Sequence, residues 1–456
     1  MNTSQTPQAE SSKQLRKVLI SSYLGTMLEY YDFLLYGTAA ALVFGPVFFA
    51  NLSPIAGTIA SLGTFAVGYI ARPLGAVIFG HFGDKFGRKR ALLASMWIMG
   101  LGSCLIGVIP SSAAIGSWAA IILILLRVVQ GIAMGGEWGG AALMALEHAE
   151  TKKRGFQAAF TNAGGPSGSV LATVAMALVA LLPEQQFMSW GWRLPFLASA
   201  AMLVLGIYMR RQIDETPVFK AAIYHQEKKL KEAAPIVEVL KRPKTVILVA
   251  LAIIGSSGMQ TAFSTFGVTY AVQNGGDRTQ VLMAFAIAWF FAIFLTLGYA
   301  KLSDRLGRRP VLIFGMATLA LSVYPLFTLL GRGTFGSVVV AFIIFAVFHS
   351  ATYGPLAAFL PEQFSTRSRY TGASLSNQLS TLLGAGFTPV ILGSLVAANG
   401  GSIVPVAIYM AAMCAISITF LLILRESKDN DLETVGTVPL PAEVRTPTPM
   451  GSETIS

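Results

Sequence analysis

Charge is scarce in this sequence. Only 12% of its 456 residues are Asp, Glu, Lys or Arg, about half the share of an ordinary soluble domain. There are two cysteines, Cys104 and Cys414, both inside apolar runs, so a disulfide framework is excluded. The four histidines are scattered, and no Cys/His cluster has metal-ligand spacing. No Ser/His/Asp arrangement is present either, so neither an enzyme nor a cofactor is implied. What replaces charge is hydrocarbon. Hydrophobic residues make up 54% of the chain, and the mean hydropathy is +0.64. A water-soluble enzyme, a disordered chain and a nucleic-acid binder are all incompatible with that balance.

A membrane helix needs roughly 20 mostly apolar residues. Twelve such runs occur, over 18–46, 54–82, 91–110, 117–146, 156–182, 191–210, 244–272, 279–302, 310–330, 335–360, 370–397 and 402–424. The expected fold class is therefore an all-α polytopic membrane protein. No cleavable signal peptide is expected. The N-terminus is polar to Lys17, and the first run contains Glu29 and Asp32.

The net charge of +11 follows from where the cations sit. Of 33 Lys and Arg residues, 28 fall at the termini and in the loops of one side. Arg193, Arg278 and Arg332 fall on the other, and Arg72 and Arg127 lie inside spans. This bias predicts a multi-pass protein of the plasma membrane with both termini in the cytoplasm. The basic excess is topology, so no nucleic-acid partner is expected. Lipid is the surrounding partner, and a monomer is the expected working unit.

The chain repeats itself. Asp84 and Arg88, in Gly-Asp-Lys-Phe-Gly-Arg-Lys-Arg after the second run, match Asp304 and Arg308 after the eighth, with an offset of about 220 residues. Glu147 and Arg154 match Glu362 and Arg369, with an offset of about 215. Two motifs with nearly one offset predict two six-helix halves, 18–210 and 244–424. A polar linker over 211–243, expected to form short surface helices, joins them. A cytoplasmic N-terminus of 1–17 and a Pro/Thr-rich tail over 425–456, expected to be disordered, flank them.

These motifs also carry a resemblance. Gly83 through Arg90 resembles the loop signature of the major facilitator superfamily. Leu28-Glu29-Tyr30-Tyr31-Asp32-Phe33-Leu34-Leu35-Tyr36-Gly37, Ala71-Arg72-Pro73-Leu74-Gly75 and Gly135-Gly136-Glu137-Trp138-Gly139-Gly140 are similar to its metabolite:proton symporters. So are Ser189 through Phe196, Glu215-Thr216-Pro217-Val218-Phe219 and Arg369 through Ser374. The resemblance runs from about residue 18 to 424. It implies secondary transport by alternating access, with a proton and a small organic acid as partners. Known members carry shikimate, α-ketoglutarate, citrate, or proline and betaine. Tyr31 through Gly37 and Phe79 through Asp84 look most like the shikimate-carrying branch. A zwitterion or osmolyte symporter is the alternative, and proton-coupled efflux is a third reading, echoed by Gly164-Gly165-Pro166.

A charge at mid-bilayer costs at least about 2.5 kcal/mol, so ionisable residues within spans are candidates for function. Glu29, Asp32, Arg72, Arg127 and Glu137 all lie in the first half, and the second half has only His349. At 1.5 Å per residue, Glu29 and Asp32 reach about 16 and 21 Å from the inner end of their run. Arg127 reaches about 15 Å from the outer end of its own. The resemblance to sugar carriers implies that Asp32 and Arg127 form a proton-coupling pair. In that reading Arg127 keeps Asp32 ionised until a substrate carboxylate engages Arg127, and a proton then binds with the anion. The alternative is a static structural ion pair. Glu29 is a second proton site, a substrate contact or a packing contact. Arg72, just before Pro73, either attracts an anion from the cytoplasm or is a gate or headgroup-snorkelling residue, the latter being the preferred reading. Glu137 is part of the proton path or, as preferred, a helix-packing group, and His349 is read as a hydrogen-bonded packing residue.

The second half is expected to supply a polar wall. Tyr353, beside Gly354-Pro355, is a candidate because a broken helix frees carbonyls for a cavity. Gln260, Asn377 and Gln378 are candidates for reading substrate hydroxyls. Asp84, Arg88, Glu147 and Arg154, with their repeats Asp304, Arg308, Glu362 and Arg369, are read as a gate. One exposed ion pair contributes about 0–1 kcal/mol, but a network present in one state only still biases a two-state equilibrium.

Overall fold

The computed structural model describes residues 7–86, 88–135, 146, 153–211, 243–364 and 369–428. Among these residues nearly everything is helical and no strand occurs. The first half holds α1 (Pro7–Leu42), α2 (Pro54–Phe86), α3 (Arg88–Val108), α4 (Trp118–Gly135), α5 (Arg154–Ala180) and α6 (Arg193–Arg211). In the second half, α7 starts as Pro243–Thr261, passes through a π-helical turn at Ala262–Gly267 and ends as Val268–Gln273. It is followed by α8 (Arg278–Leu306) and α9 (Arg308–Leu330). α10 runs over Phe335–Tyr353 and resumes at Leu356–Glu362. α11 runs over Arg369–Ser380, a π turn at Thr381–Gly386, and Thr388–Ala398. α12 is Val404–Ile423.

Nine helices among the described residues are long and apolar enough to cross a membrane. The pair Glu184–Gly191 and Arg193–Tyr208, bent by 42°, makes a tenth. α1 and α3 do not meet the same test. α1 opens with a polar stretch and carries Glu29 and Asp32, and the apolar part of α3 is only Leu93–Val108. The linker, Glu137 and Glu147 lie outside the described residues, as do the side chains of Asp84 and Arg88.

Small residues decide how the helices meet. A Cβ at Gly164 or Gly168 of α5 would strike the α1 backbone at Tyr23 or Met27. α5 therefore lies directly against α1, as small residues permit between membrane helices. Its other side meets α8 of the second half. This contact along the partial Gly-Pro echo holds helices together within the first half. Between α8 and α9, Gly307 has φ of 105°, a left-handed conformation that only glycine adopts without strain.

The two halves are joined at three levels. At the end carrying the loop motifs, Asp304 of α8 accepts hydrogen bonds from the backbone N–H groups of Gly155 (2.8 Å) and Phe156 (2.9 Å) at the start of α5. In the middle, Asn162 of α5 donates to the Tyr353 carbonyl at 2.8 Å, and the Tyr353 hydroxyl donates to that of Tyr30 at 2.9 Å. At the opposite end, Arg278 of α8 pairs with Glu184 at 2.8 Å. A cavity lies between these ties.

Candidate functional site

The central cavity is charged on one side and neutral on the other. From the first half it is lined by Glu29, Tyr30 and Phe33 of α1, Tyr69 and Arg72 of α2, Met134 of α4 and Asn162 of α5. From the second half, Ser256, Ser257 and Gln260 of α7 face Tyr353 of α10 and Asn377, Gln378 and Thr381 of α11. The four side chains expected to form a polar wall, Tyr353, Gln260, Asn377 and Gln378, all lie here. The break at Gly354-Pro355 also frees a carbonyl, that of Tyr353, and Asn162 takes it up. The π turns in α7 and α11 widen the backbone beside this wall, as such turns often do at functional sites.

Arg72 is not at a gate. It is buried in the cavity wall, and the reason is geometric. α2 continues to Phe86, so Arg72 lies about 21 Å along the helix from that end. One guanidinium nitrogen donates to the Met134 sulfur at 3.4 Å, and Nε has no hydrogen-bond partner. Among the described residues no carboxylate pairs with Arg72 within 4.0 Å. Instead the guanidinium carbon lies 4.1 Å from the Tyr69 ring centroid and 5.0 Å from that of Phe33.

Arg127 occupies a different compartment. It is fully buried but does not line the central cavity. Its guanidinium carbon sits 4.1 Å from the Tyr36 ring, 5.4 Å from Phe65 and 5.6 Å from Phe33. Phe33 thus stands between two arginines. Phe33, Tyr36, Phe65 and Tyr69 form a connected set of rings whose faces hold both cations. A desolvated cation–π contact is worth about 2 kcal/mol, which helps two buried guanidinium groups that have no carboxylate within 4.0 Å among the described residues.

Asp32 and Arg127 form no ion pair within 4.0 Å among the described residues. Asp32 accepts a hydrogen bond from the Ser199 hydroxyl of α6 at 2.7 Å. With Glu29 it lines a side cavity between α1, α3 and α6, walled by Met96, Met99 and Leu203. Glu29 lines both cavities.

The gate residues of the second half come together. Arg308 pairs with Asp304 at 2.8 Å and with Glu362 at 3.3 Å. Glu362 accepts a further hydrogen bond from Ser427 at 2.8 Å. Asp304 in turn places its carboxylate on the α5 N-terminus, where free N–H groups and the helix dipole favour an anion. A Cβ at Gly155 would collide with the Arg308 guanidinium, so this contact requires glycine. Arg154 and Arg369 are buried at the starts of α5 and α11.

One component had no signal in the motif comparison. The residues just after α12, 425–428, belong to the tail expected to be disordered, yet they bind the start of α9. The Glu426 carboxylate accepts from the backbone N–H groups of Arg308 (2.8 Å), Arg309 (2.9 Å), Ser427 (3.0 Å) and Lys428 (3.1 Å). Burial pushes the Glu426 carboxyl up, but these four donors outweigh it and hold it below its ordinary value. Arg309 reciprocates by donating to the carbonyls of Leu421 and Leu422 at the end of α12.

The Asp304→Asn variant is expected to slow cycling by about tenfold, the equivalent of about 1.4 kcal/mol, with little effect on ligand binding. The side chain touches the surface between halves and not the cavity. Turnover and equilibrium binding measured on the same preparation check this; a large affinity loss with normal turnover would contradict the gate assignment.

Comparison with known proteins places this geometry in a family. The Major Facilitator Superfamily signature matches residues 22–377 and 268–447. The shikimate transporter of Escherichia coli K12 is 36% identical over 422 residues, covering 92% of this chain and 96% of that protein. The glycine betaine/proline/ectoine/pipecolic acid transporter OusA of Dickeya dadantii is 31% identical over 92% of this chain and 85% of its own length. Among solved structures, the xylose transporter XylE from E. coli, in a partially occluded inward-open conformation, superposes with a TM-score of 0.70 at 18% identity. That alignment covers 92% of this chain and all of the other, and it shows the shared fold. The chain is accordingly a multi-pass membrane transporter, not an enzyme, and it belongs to the major facilitator superfamily.

Proposed function

We propose that the protein is a proton-coupled symporter that takes up a small organic acid, such as shikimate or a related carboxylate, by alternating access. The observation that carries this reading is Arg72, a buried cation in the cavity wall with no carboxylate within 4.0 Å among the described residues. A guanidinium presents a planar fork of donors that suits a carboxylate. Arg72 takes over the anchoring role that the sequence assigned to Arg127. Gln260, Asn377, Gln378 and Tyr353 hold the uncharged part of the substrate. Asp32 and Glu29 carry the proton, and Arg127 supplies the positive field in which Asp32 titrates. The cavity lies in a protein of the plasma membrane working as a monomer with both termini in the cytoplasm, so the Asp304–Arg308–Glu362 network closes the cytoplasmic side.

A zwitterion symporter is the second reading, and one observation favours it. Glu29 lines the same cavity as Arg72, beside the rings of Tyr30, Phe33 and Tyr69. An acid and aromatic faces suit an ammonium group. Uptake into inverted or right-side-out vesicles with an imposed pH gradient separates the readings. Labelled organic acids and betaines are compared in one panel. Accumulation of a carboxylate that collapses with a protonophore is expected. Accumulation of betaines alone would replace the first reading by the second.

A further inference from the structure

Beside the central cavity lies a smaller one that the transport reading leaves without a role. It sits where α5 of the first half meets α7, α8 and α10 of the second. Trp289 and Thr296 of α8 and His349 and Ser350 of α10 form its polar wall. All four side chains are more than nine-tenths buried. The indole Nε1 of Trp289, the hydroxyls of Thr296 and Ser350, and Nε2 of His349 each have no hydrogen-bond partner. Native interiors rarely leave one such atom unpaired, and four around one cavity amount to a site.

The chemistry of the four atoms is specific. The Trp289 indole only donates, and the two hydroxyls donate or accept. Nε2 of a neutral imidazole donates or accepts according to its tautomer. The wall therefore offers one donor and three adaptable groups, with no carboxylate, ammonium or guanidinium. A carboxylate or an ammonium finds no counter-charge here. A hydroxyl group, which both donates and accepts, matches the whole set. The cavity has room for about one water-sized group.

Two residues connect this site to the substrate. Gln260 and Tyr353 line both cavities. Tyr353 is held by its hydrogen bond to Tyr30. A ligand anchored at Arg72 on the first-half side extends toward this pair. The geometry points to a hydroxyl subsite: one hydroxyl of the substrate enters past Gln260 and Tyr353 and is read by Trp289, Thr296, His349 and Ser350. This rests on the carboxylate reading for its anchor and deepens it, since it restricts the substrate to hydroxylated acids.

The test compares ligands that differ by one hydroxyl. Competition of uptake by cyclohexanecarboxylate and by its monohydroxylated derivatives is measured for the wild type, Trp289→Phe and Ser350→Ala. The wild type is expected to prefer one hydroxylated isomer by about a hundredfold or more, since a site built to bond a hydroxyl rejects the analogue lacking it. Each variant is expected to cut that preference about tenfold, leaving the unhydroxylated acid unaffected. That second readout separates recognition from misfolding, because a merely structural role would weaken both ligands alike. Equal loss of both ligands in both variants, or no preference in the wild type, overturns the subsite. The proline and hydroxyproline pair is run in parallel. If neither acid competes but hydroxyproline is preferred in a Trp289-dependent way, the anion reading fails and the subsite stands. If no pair shows a hydroxyl preference, the subsite fails whichever anchor is used.

Discussion

Arg72→Gln is expected to lose saturable uptake of the transported acid while still giving a folded, membrane-inserted protein. A hydrogen bond to a charged group contributes about 1.5–3 kcal/mol, so affinity for a carboxylate should fall roughly 10- to 150-fold. Folding should survive because Arg72 makes no ion pair within 4.0 Å among the described residues. It loses contacts with Tyr69 and Phe33 but also removes a buried charge. Arg72→Lys should recover part of the binding, because it keeps the charge and loses the bidentate fork. The comparison with Arg127→Gln is informative. Arg127 does not line the cavity, so its loss should alter stability and coupling more than ligand affinity. Equilibrium binding and thermal unfolding of the purified variants decide the matter. Unchanged affinity in Arg72→Gln together with a large loss in Arg127→Gln would return the anchor to Arg127.

The placement of the two arginines shows how far the sequence could be read. Helix positions followed from apolar run length, because a membrane helix must satisfy its backbone internally and cross a fixed thickness. The uncharged wall also followed, since a buried Gln or Asn in such a helix has few uses. Depth arithmetic placed Asp32 and Arg127 at one level, but height does not say which neighbour a side chain reaches. Asp32 turns to Ser199, and Arg127 turns to Tyr36 and Phe65. The ring set around the two arginines comes from α1 and α2 together, so neither stretch shows it alone. Arg72 is subject to the same limit: its position along α2 does not say that its side chain turns into the cavity wall. The Glu426 clasp was missed because a single acid after the last run resembles an ordinary tail charge. Two of its four partners are backbone N–H groups 118 and 117 residues away in sequence.

Coupling should be lost when Asp32 is replaced by Asn. The variant keeps the side-chain size and an acceptor for Ser199, but it has no titrating carboxyl. Gradient-driven accumulation is expected to fall to the level of passive equilibration, while exchange of internal for external substrate continues within a few-fold of wild type. Exchange requires no net proton movement, so a site that only carries the proton is dispensable for it. Glu29→Gln should behave differently. Glu29 lines the central cavity as well as the side cavity holding Asp32, so its loss should impair exchange and accumulation together. The physical basis is linkage. A substrate anion bound at Arg72 adds negative potential near the Asp32 compartment, and a proton bound there offsets it. Each ligand then favours the other by the same factor. A coupling of about 2 kcal/mol, within the usual range for two linked sites, would make proton and anion bind together some thirtyfold better than separately. Counterflow and pH-driven uptake on the same proteoliposomes measure both halves of the prediction. If Asp32→Asn still concentrates substrate in a pH-dependent way while Glu29→Gln does not, the proton site is Glu29, and Asp32 serves to hold α6 against α1 through Ser199.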